Sequence, residues 1–108
     1  MKTYSEPKKK TSTEILYIEV LKKAFTDAFR VGNLSEQNQE LIQSQAKNWF
    51  NIHSKDFKLI CEHAGTEPEY IMRLYNNLQY NYNSGKITKD QVRFGISRLE
   101  LKIWTYFI

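Results

Sequence analysis

The sequence predicts an all-α fold, a compact bundle of about five helices with a central helix-turn-helix. Apolar residues recur every three or four positions along most of the chain, which is the spacing of one helix face. Ser or Thr is followed three residues later by Glu or Gln at several points, the signature of a capped helix start. Glycine and proline are few, four and two in 108 residues, so few positions interrupt a helix.

Length and charge predict one domain with basic ends. The chain of 108 residues is long enough for a single core, and its lone cysteine favours a reducing, cytoplasmic compartment. No apolar run reaches the length of a membrane span, so no membrane partner is expected. The net charge of +4 divides into +3 for residues 1–11, −2 for residues 12–83 and +3 for residues 84–108.

Residues 1–11 are predicted to be a flexible basic arm, and residues 12–108 a single helical domain. The arm contains Pro7 and ends in Lys8, Lys9 and Lys10. It is either a solvated tail or a segment that follows a phosphate backbone.

Two helices are predicted before the centre of the chain. Thr11 and Glu14 form a capping box that opens the first, from about Ser12 to Arg30. Its apolar face contains Ile15, Ile18, Leu21, Ala24, Phe25, Ala28 and Phe29, and Gly32 and Asn33 end it. The second is capped by Ser35 and runs to about Ile52, with Leu41, Ile42, Ala46, Trp49 and Phe50 on its apolar side. Trp49 and Phe50 are expected to anchor the core because burial of such large rings is strongly favourable.

Residues 54–79 are predicted to form the helix-turn-helix. Ser54 caps the first helix, whose apolar stripe is Phe57, Ile60, Cys61 and Ala64, and the second continues the stripe with Ile71, Leu74 and Leu78. Gly65 supplies the left-handed residue of the turn, and Thr66 with Glu69 forms a capping box around Pro68. The small Cys61 lies four residues before the glycine and Ile71 six after it, which suits a steep helix crossing.

The C-terminal part allows alternatives. Residues 79–88 are either a loop, which we favour, or a β-hairpin wing. Thr88 and Gln91 then cap a last helix running to about Tyr106, with Val92, Ile96, Leu99 and Ile103 on its core side. Gly95 inside it suggests a close helix contact. The surplus apolar side chains are Phe94, Leu101, Trp104, Phe107 and Ile108. Two roles are open for the last four of these side chains. They either form a homodimer interface or are buried in the core of their own chain, and they are Leu101, Trp104, Phe107 and Ile108.

The segment from Val20 to Leu78 resembles a group of small helical proteins of alphaproteobacteria and their phages. The matching residues are Leu21, Ala24, Asp27, Ala28, Ala46, Trp49, Phe50, Asp56, Phe57, Ile60, Cys61, Ala64, Gly65, Pro68 and Ile71. The resemblance implies a compact helical domain with a helix-turn-helix-like centre, of a class often taken to bind DNA. The turn is also similar to that of bacterial and phage repressors, although Thr66 replaces their aliphatic residue and Glu67 their hydroxyl residue.

No catalytic residue, metal site or cofactor is expected, nor a small-molecule substrate. Cys61 falls on the apolar stripe, where a thiol is inert, and His63 two residues later points to another face. The chain contains no glycine-rich phosphate loop, zinc-ligand spacing or nucleophile elbow.

Double-stranded DNA is the expected partner. If the second helix of the unit enters a major groove, Arg73 reaches a guanine edge and Asn76 or Asn77 an adenine edge, with Tyr70 beside them. Lys55 and Lys58 hold phosphates, and Lys86, Lys89 and Arg93 form a second basic patch. Two side chains argue against this docking: the phosphates of DNA would repel the negative charges of Glu67 and Glu69. The sequence thus predicts a small phage or bacterial transcriptional regulator, with a non-catalytic interaction module of a larger assembly as the alternative.

Overall fold

A computed structural model describes residues 11–31 and 38–98 of the chain, which form five α-helices. The helices are α1 (Ser12–Phe29), α2 (Gln39–Trp49), α3 (Lys55–His63), α4 (Pro68–Asn83) and α5 (Lys89–Ser97). The described residues contain no strand, so the all-α prediction is confirmed. The loop favoured for residues 79–88 and the alternative β-hairpin are both wrong for residues 79–83, because α4 continues to Asn83 and only residues 84–88 form a turn.

Three helix starts follow the predicted caps. The Thr11 hydroxyl accepts from the Glu14 amide at 3.0 Å, and the Glu14 carboxylate accepts from the Thr11 amide at 2.9 Å. Thr88 and Gln91 repeat this box at 3.2 and 2.8 Å. The Ser54 hydroxyl accepts from the amide of the residue three positions later at 3.2 Å. These bonds satisfy amides that have no partner within the first helical turn.

The predicted capping box at Thr66 and Glu69 is wrong. Helix α4 begins at Pro68, with Glu67 as its N-cap in extended conformation (φ −97°), and no side chain caps it. A cap at Thr66 would place Glu67 in helical conformation directly before a proline, which the pyrrolidine ring disfavours. The Thr66 side chain is instead buried, and its hydroxyl finds no hydrogen-bond partner.

Several predicted boundaries also move. Helix α1 ends at Phe29, with Arg30 in the left-handed region at φ 55°, so the chain leaves the helix before Gly32. Helix α2 begins at Gln39 after a left-handed Asn38 (φ 61°) and ends at Trp49, three residues earlier than predicted. Ser35, Gly32 and Asn33 lie outside the described residues, as does the predicted continuation of α5 from residue 99 to Tyr106.

Helix α1 is the centre of the bundle and contacts α2, α3 and α5. The buried core consists of Ile18, Leu21, Phe25, Ala28, Phe29, Val31, Phe50, Phe57, Cys61, Ala64, Ile71, Tyr75, Val92 and Ile96. Two predicted core residues are wrong: Ile15 is 47% exposed and Leu41 is 57% exposed. Each lies within the first turn of its helix, where the neighbouring helices no longer cover it. Gly95 has open space around it, so the predicted close helix contact there is also wrong.

Aromatic rings join α1, α2, α3 and α4 at the middle of the core. The Phe50 and Tyr75 rings stack in parallel with centroids 4.2 Å apart, and Phe25 meets Phe50 edge-on at 4.8 Å. Trp49 packs edge-on against Phe57 at 5.2 Å. Phe50 is therefore a core anchor as predicted, whereas Trp49 is only partly buried and covers the edge of the cluster.

Candidate nucleic-acid interface

Helices α3 and α4 are joined by a short connection that follows a Schellman motif. The Thr66 amide donates to the Cys61 carbonyl at 3.0 Å and the Gly65 amide to the Glu62 carbonyl at 3.0 Å. Gly65 has φ 81°, the left-handed conformation that this motif requires at its C′ position. The helix-turn-helix prediction placed the glycine correctly, and the short connection fixes the direction in which α4 leaves α3.

The two residues predicted at the helix crossing are fully buried. Cys61 and Ile71 each have no exposed surface. Burial, and secondarily the nearby Glu69 carboxylate, raises the pKa of the Cys61 thiol from 9.0 to about 12. The thiol is therefore neutral over the physiological range and serves as a small packing group, as the sequence predicted.

One face of α4 is open to solvent along its whole length. It contains Glu69, Arg73, Asn76, Asn77 and Tyr80, which lie opposite the buried stripe of the helix. The three predicted base-reading residues, Arg73, Asn76 and Asn77, therefore share one exposed surface. Tyr70 lies on the flank and is half-buried, with the Arg73 guanidinium 6.0 Å from its ring centroid.

The exposed lysines of α3 lie near the N-terminal end of α4. Lys55 and Lys58 line a shallow cleft of about 550 Å³. The same cleft is lined by Glu62, Glu67 and Pro68. The two positive charges predicted to hold phosphates thus have carboxylates as neighbours.

The C-terminal end of α4 lies close to the start of α5. The Lys86 ammonium is 5.1 Å from the centroid of the exposed Tyr80 ring. Arg93 donates to an Asp90 carboxylate oxygen at 2.6 Å and, through Nε, to the Val31 carbonyl at 3.1 Å. Arg93 therefore ties α5 to the end of α1, which is a structural role in addition to its predicted place in the basic patch.

Two residues of this end were not predicted. Arg30 and Lys89 both line a second cleft, of about 920 Å³, beside Tyr82. Nothing in the sequence links Arg30 to a lysine far along the chain. Tyr80 lies on the same helix face as Arg73 and Asn76. Helical spacing would have predicted this position, but the helix was predicted to end at Leu78, with a loop favoured after it.

The other predicted site residues lie outside the described part of the chain. These are Lys8, Lys9 and Lys10 of the arm and Leu101, Trp104, Phe107 and Ile108 of the predicted oligomer interface.

The described residues, 11–31 and 38–98, were also compared with the requirements of a metal site and of a membrane-spanning helix. These residues contain no group of His, Cys, Asp and Glu side chains arranged to hold a metal ion. None of the described helices combines the length and apolar character needed to cross a membrane. His63 is stacked on Tyr17 with ring centroids 4.9 Å apart. Comparisons with protein-family models, with curated proteins and with solved structures find no match for this chain.

Proposed function

We propose that this protein binds double-stranded DNA through the exposed face of α4 and acts as a small transcriptional regulator. The observation that carries the proposal is that Arg73, Asn76 and Asn77 are exposed on one face of α4. This helix is the second of two helices joined by a turn at the left-handed Gly65. A guanidinium pairs with a guanine edge and a carboxamide with an adenine edge in the major groove. Helix α4 is about 24 Å long and, at about 10–12 Å across, fits that groove.

The choice of asparagine supports a recognition role. Asparagine in a helix interior costs up to about 0.7 kcal/mol relative to alanine, so two in succession are unfavourable for α4 itself. Neither the Asn76 nor the Asn77 side chain makes a hydrogen bond with the rest of the described chain, so no hydrogen bond within the described residues offsets that cost. A role outside the monomer accounts for their presence, because functional surfaces often depart from local rules.

The charge of the chain after the first turn of α4 supports a polyanionic partner. Residues 70–98 contain five basic side chains, Arg73, Lys86, Lys89, Arg93 and Arg98, and a single acidic one, Asp90. Such a local excess steers a protein toward nucleic acid and makes binding dependent on salt.

Fluorescence anisotropy with labelled duplexes tests the proposal at about 50 mM and about 200 mM salt. We expect binding at micromolar protein that weakens at the higher salt. R73A and the double variant N76A/N77A should weaken it further, whereas K47A, which removes an exposed charge from α2, should not. Absence of binding to any duplex at the lower salt would overturn the proposal, since even non-specific association is electrostatic.

Selection from a random duplex library separates the two forms of this function. Enrichment of one motif, lost in N76A/N77A, supports sequence-specific regulation. Binding without enrichment supports an architectural role. Homodimerisation through Leu101, Trp104, Phe107 and Ile108 belongs to the same proposal, and sedimentation of the full chain beside a form truncated after Lys102 tests it.

A protein-interaction module of a phage or bacterial assembly is the second candidate. It is favoured by exposed apolar side chains away from α4, namely Leu16 on α1 and Phe94 on α5, each 61% exposed. The chain would then bind a partner protein in the absence of DNA. The variant pair L16A and F94A should abolish that capture while R73A leaves it intact, and capture that survives L16A and F94A would contradict this candidate.

A further inference from the structure

The two ends of α4 differ in charge. At its N-terminal end, the carboxylates of Glu62, Glu67 and Glu69 outnumber the ammonium groups of Lys55 and Lys58. The C-terminal end has the opposite balance, with Lys86, Lys89 and Arg93 against Asp90. One end is therefore net negative and the other net positive.

The two ends act independently on a bound polyanion. Sixteen residues separate them by about 24 Å, which is about three Debye lengths at physiological ionic strength. The helix dipole opposes the difference, but it amounts to only about half a charge at each end. The side chains therefore decide which end attracts phosphate.

Tyr80 extends the exposed face of α4 toward the positive end. Its side chain is 65% exposed and follows Arg73 by seven residues, about 10 Å along the helix and on the same side. The Lys86 ammonium lies over its ring at 5.1 Å, so the phenol and the cation are presented together. A phenol hydroxyl and an ammonium are both donors used to bind phosphate oxygens.

We infer that a bound duplex lies against the C-terminal half of α4 and the α4–α5 turn, where Tyr80, Lys86 and Lys89 contact its backbone and Asn76 and Asn77 face the groove. The α3–α4 turn then points away from the DNA. In the usual helix-turn-helix docking, the N-terminal residues of the second helix contact the bases. Here Glu67 and Glu69 occupy those positions. The inference rests on the proposed DNA-binding function. It adds the register of binding, which is the part of α4 that the DNA contacts.

Two double variants that remove the same charge from opposite ends test the register. K86A/K89A should flatten the dependence of log K on log salt by about 1.8, the effect of two lost phosphate contacts. K55A/K58A should leave both the slope and the affinity within about twofold of the wild type. Because all four lysines are exposed, circular dichroism is expected to show unchanged folding in both variants.

Two substitutions of Tyr80 test its contact with the phosphate backbone. Y80A should weaken binding about tenfold, as expected for the loss of a hydrogen bond to a charged group. Y80F should be as weak as Y80A, because the proposed contact is made by the hydroxyl.

The possible failures are distinguishable. If the wild type binds no duplex, the proposed function fails together with the register. If the wild type binds but K55A/K58A alone flattens the salt dependence, the DNA lies at the α3–α4 turn, and only the register is overturned. Wild-type affinity of both Y80A and K86A/K89A would also overturn the register.

Discussion

Replacement of Gly65 by alanine tests how the α3–α4 turn is held against α1. Gly65 has φ 81°, and a Cβ at this position would lie 2.8 Å from the Oε2 atom of Glu14. The other oxygen of that carboxylate accepts from the Thr11 amide in the capping box of α1. The substitution therefore strains the turn and pushes a capping side chain out of place. Gly85 is a matched control, because it has the same φ of 81° and a Cβ there would have no neighbour within 4 Å.

The expected magnitudes follow from these two environments. The left-handed conformation costs alanine about 1–2 kcal/mol, and G85A should lose about that much stability. G65A should lose about 0.5–1.5 kcal/mol more, the contribution of one hydrogen bond, because the flexible Glu14 side chain escapes the clash only by leaving its cap. In an E14A background the extra loss should vanish, leaving G65A and G85A equally destabilising.

Urea unfolding followed by far-UV circular dichroism measures these differences, since a domain of this size is expected to unfold in one cooperative step. Equal destabilisation by G65A and G85A in the wild-type background would show that Glu14 does not constrain the turn. An extra loss that survives in the E14A background would assign it to another neighbour and refute the reasoning equally.

Three further predictions concern the helix interiors and the core. G95A should stabilise the protein by about 0.5–1 kcal/mol in the same unfolding assay, because Gly95 is helical and has no neighbour within 4 Å; a loss of stability would place an unseen neighbour there. The Cys61 thiol, with an ordinary pKa of 9.0 and a folded pKa of about 12, contributes stability that is complete below pH 9 and falls as the pH rises toward 12, by at most about 1.4 kcal/mol per unit. C61A should flatten that fall in unfolding curves recorded across this range, although burial also raises the pKa of Tyr75 and leaves a smaller slope of the same sign; an unchanged slope would contradict the assignment to Cys61. F50A should cost about 3–5 kcal/mol, because it removes the ring that stacks on Tyr75 at 4.2 Å, and a midpoint shift worth under about 1 kcal/mol would mean that the cluster repacks.

Local signals in the sequence were sufficient for the starts of α1, α3 and α5. A capping box involves atoms only three residues apart, so Thr11 and Thr88 begin α1 and α5 in the structure as predicted. Thr66 shows the limit of the signal, because Pro68 moves the cap by one residue and leaves the Thr66 side chain buried. The left-handed Gly65 was also readable, since the residue that ends a helix in a Schellman motif must accept a positive φ.

Burial at helix ends could not be read from periodicity. Ile15 and Leu41 both fit an apolar stripe, yet both are exposed, because coverage depends on how far a neighbouring helix extends. Part of the candidate site could be located from the sequence. The outward position of Arg73, Asn76 and Asn77 follows from helical spacing, because the stripe of Ile71, Leu74 and Leu78 was predicted to face inward. The structure buries Ile71 as predicted, but it buries Tyr75 more deeply than Leu74 and Leu78, which are only partly buried.

The sequence by itself determined five helices, most of their caps and the polar face of α4, because each depends on groups within a few residues of one another. Only the tertiary structure decided which charges lie at each end of that face. It brings Arg30 and Lys89 into the lining of one cleft, Arg93 to the Val31 carbonyl 62 positions away, and Glu14 to Gly65. Such pairs are set by the packing of whole helices around one core, and no local spacing encodes them.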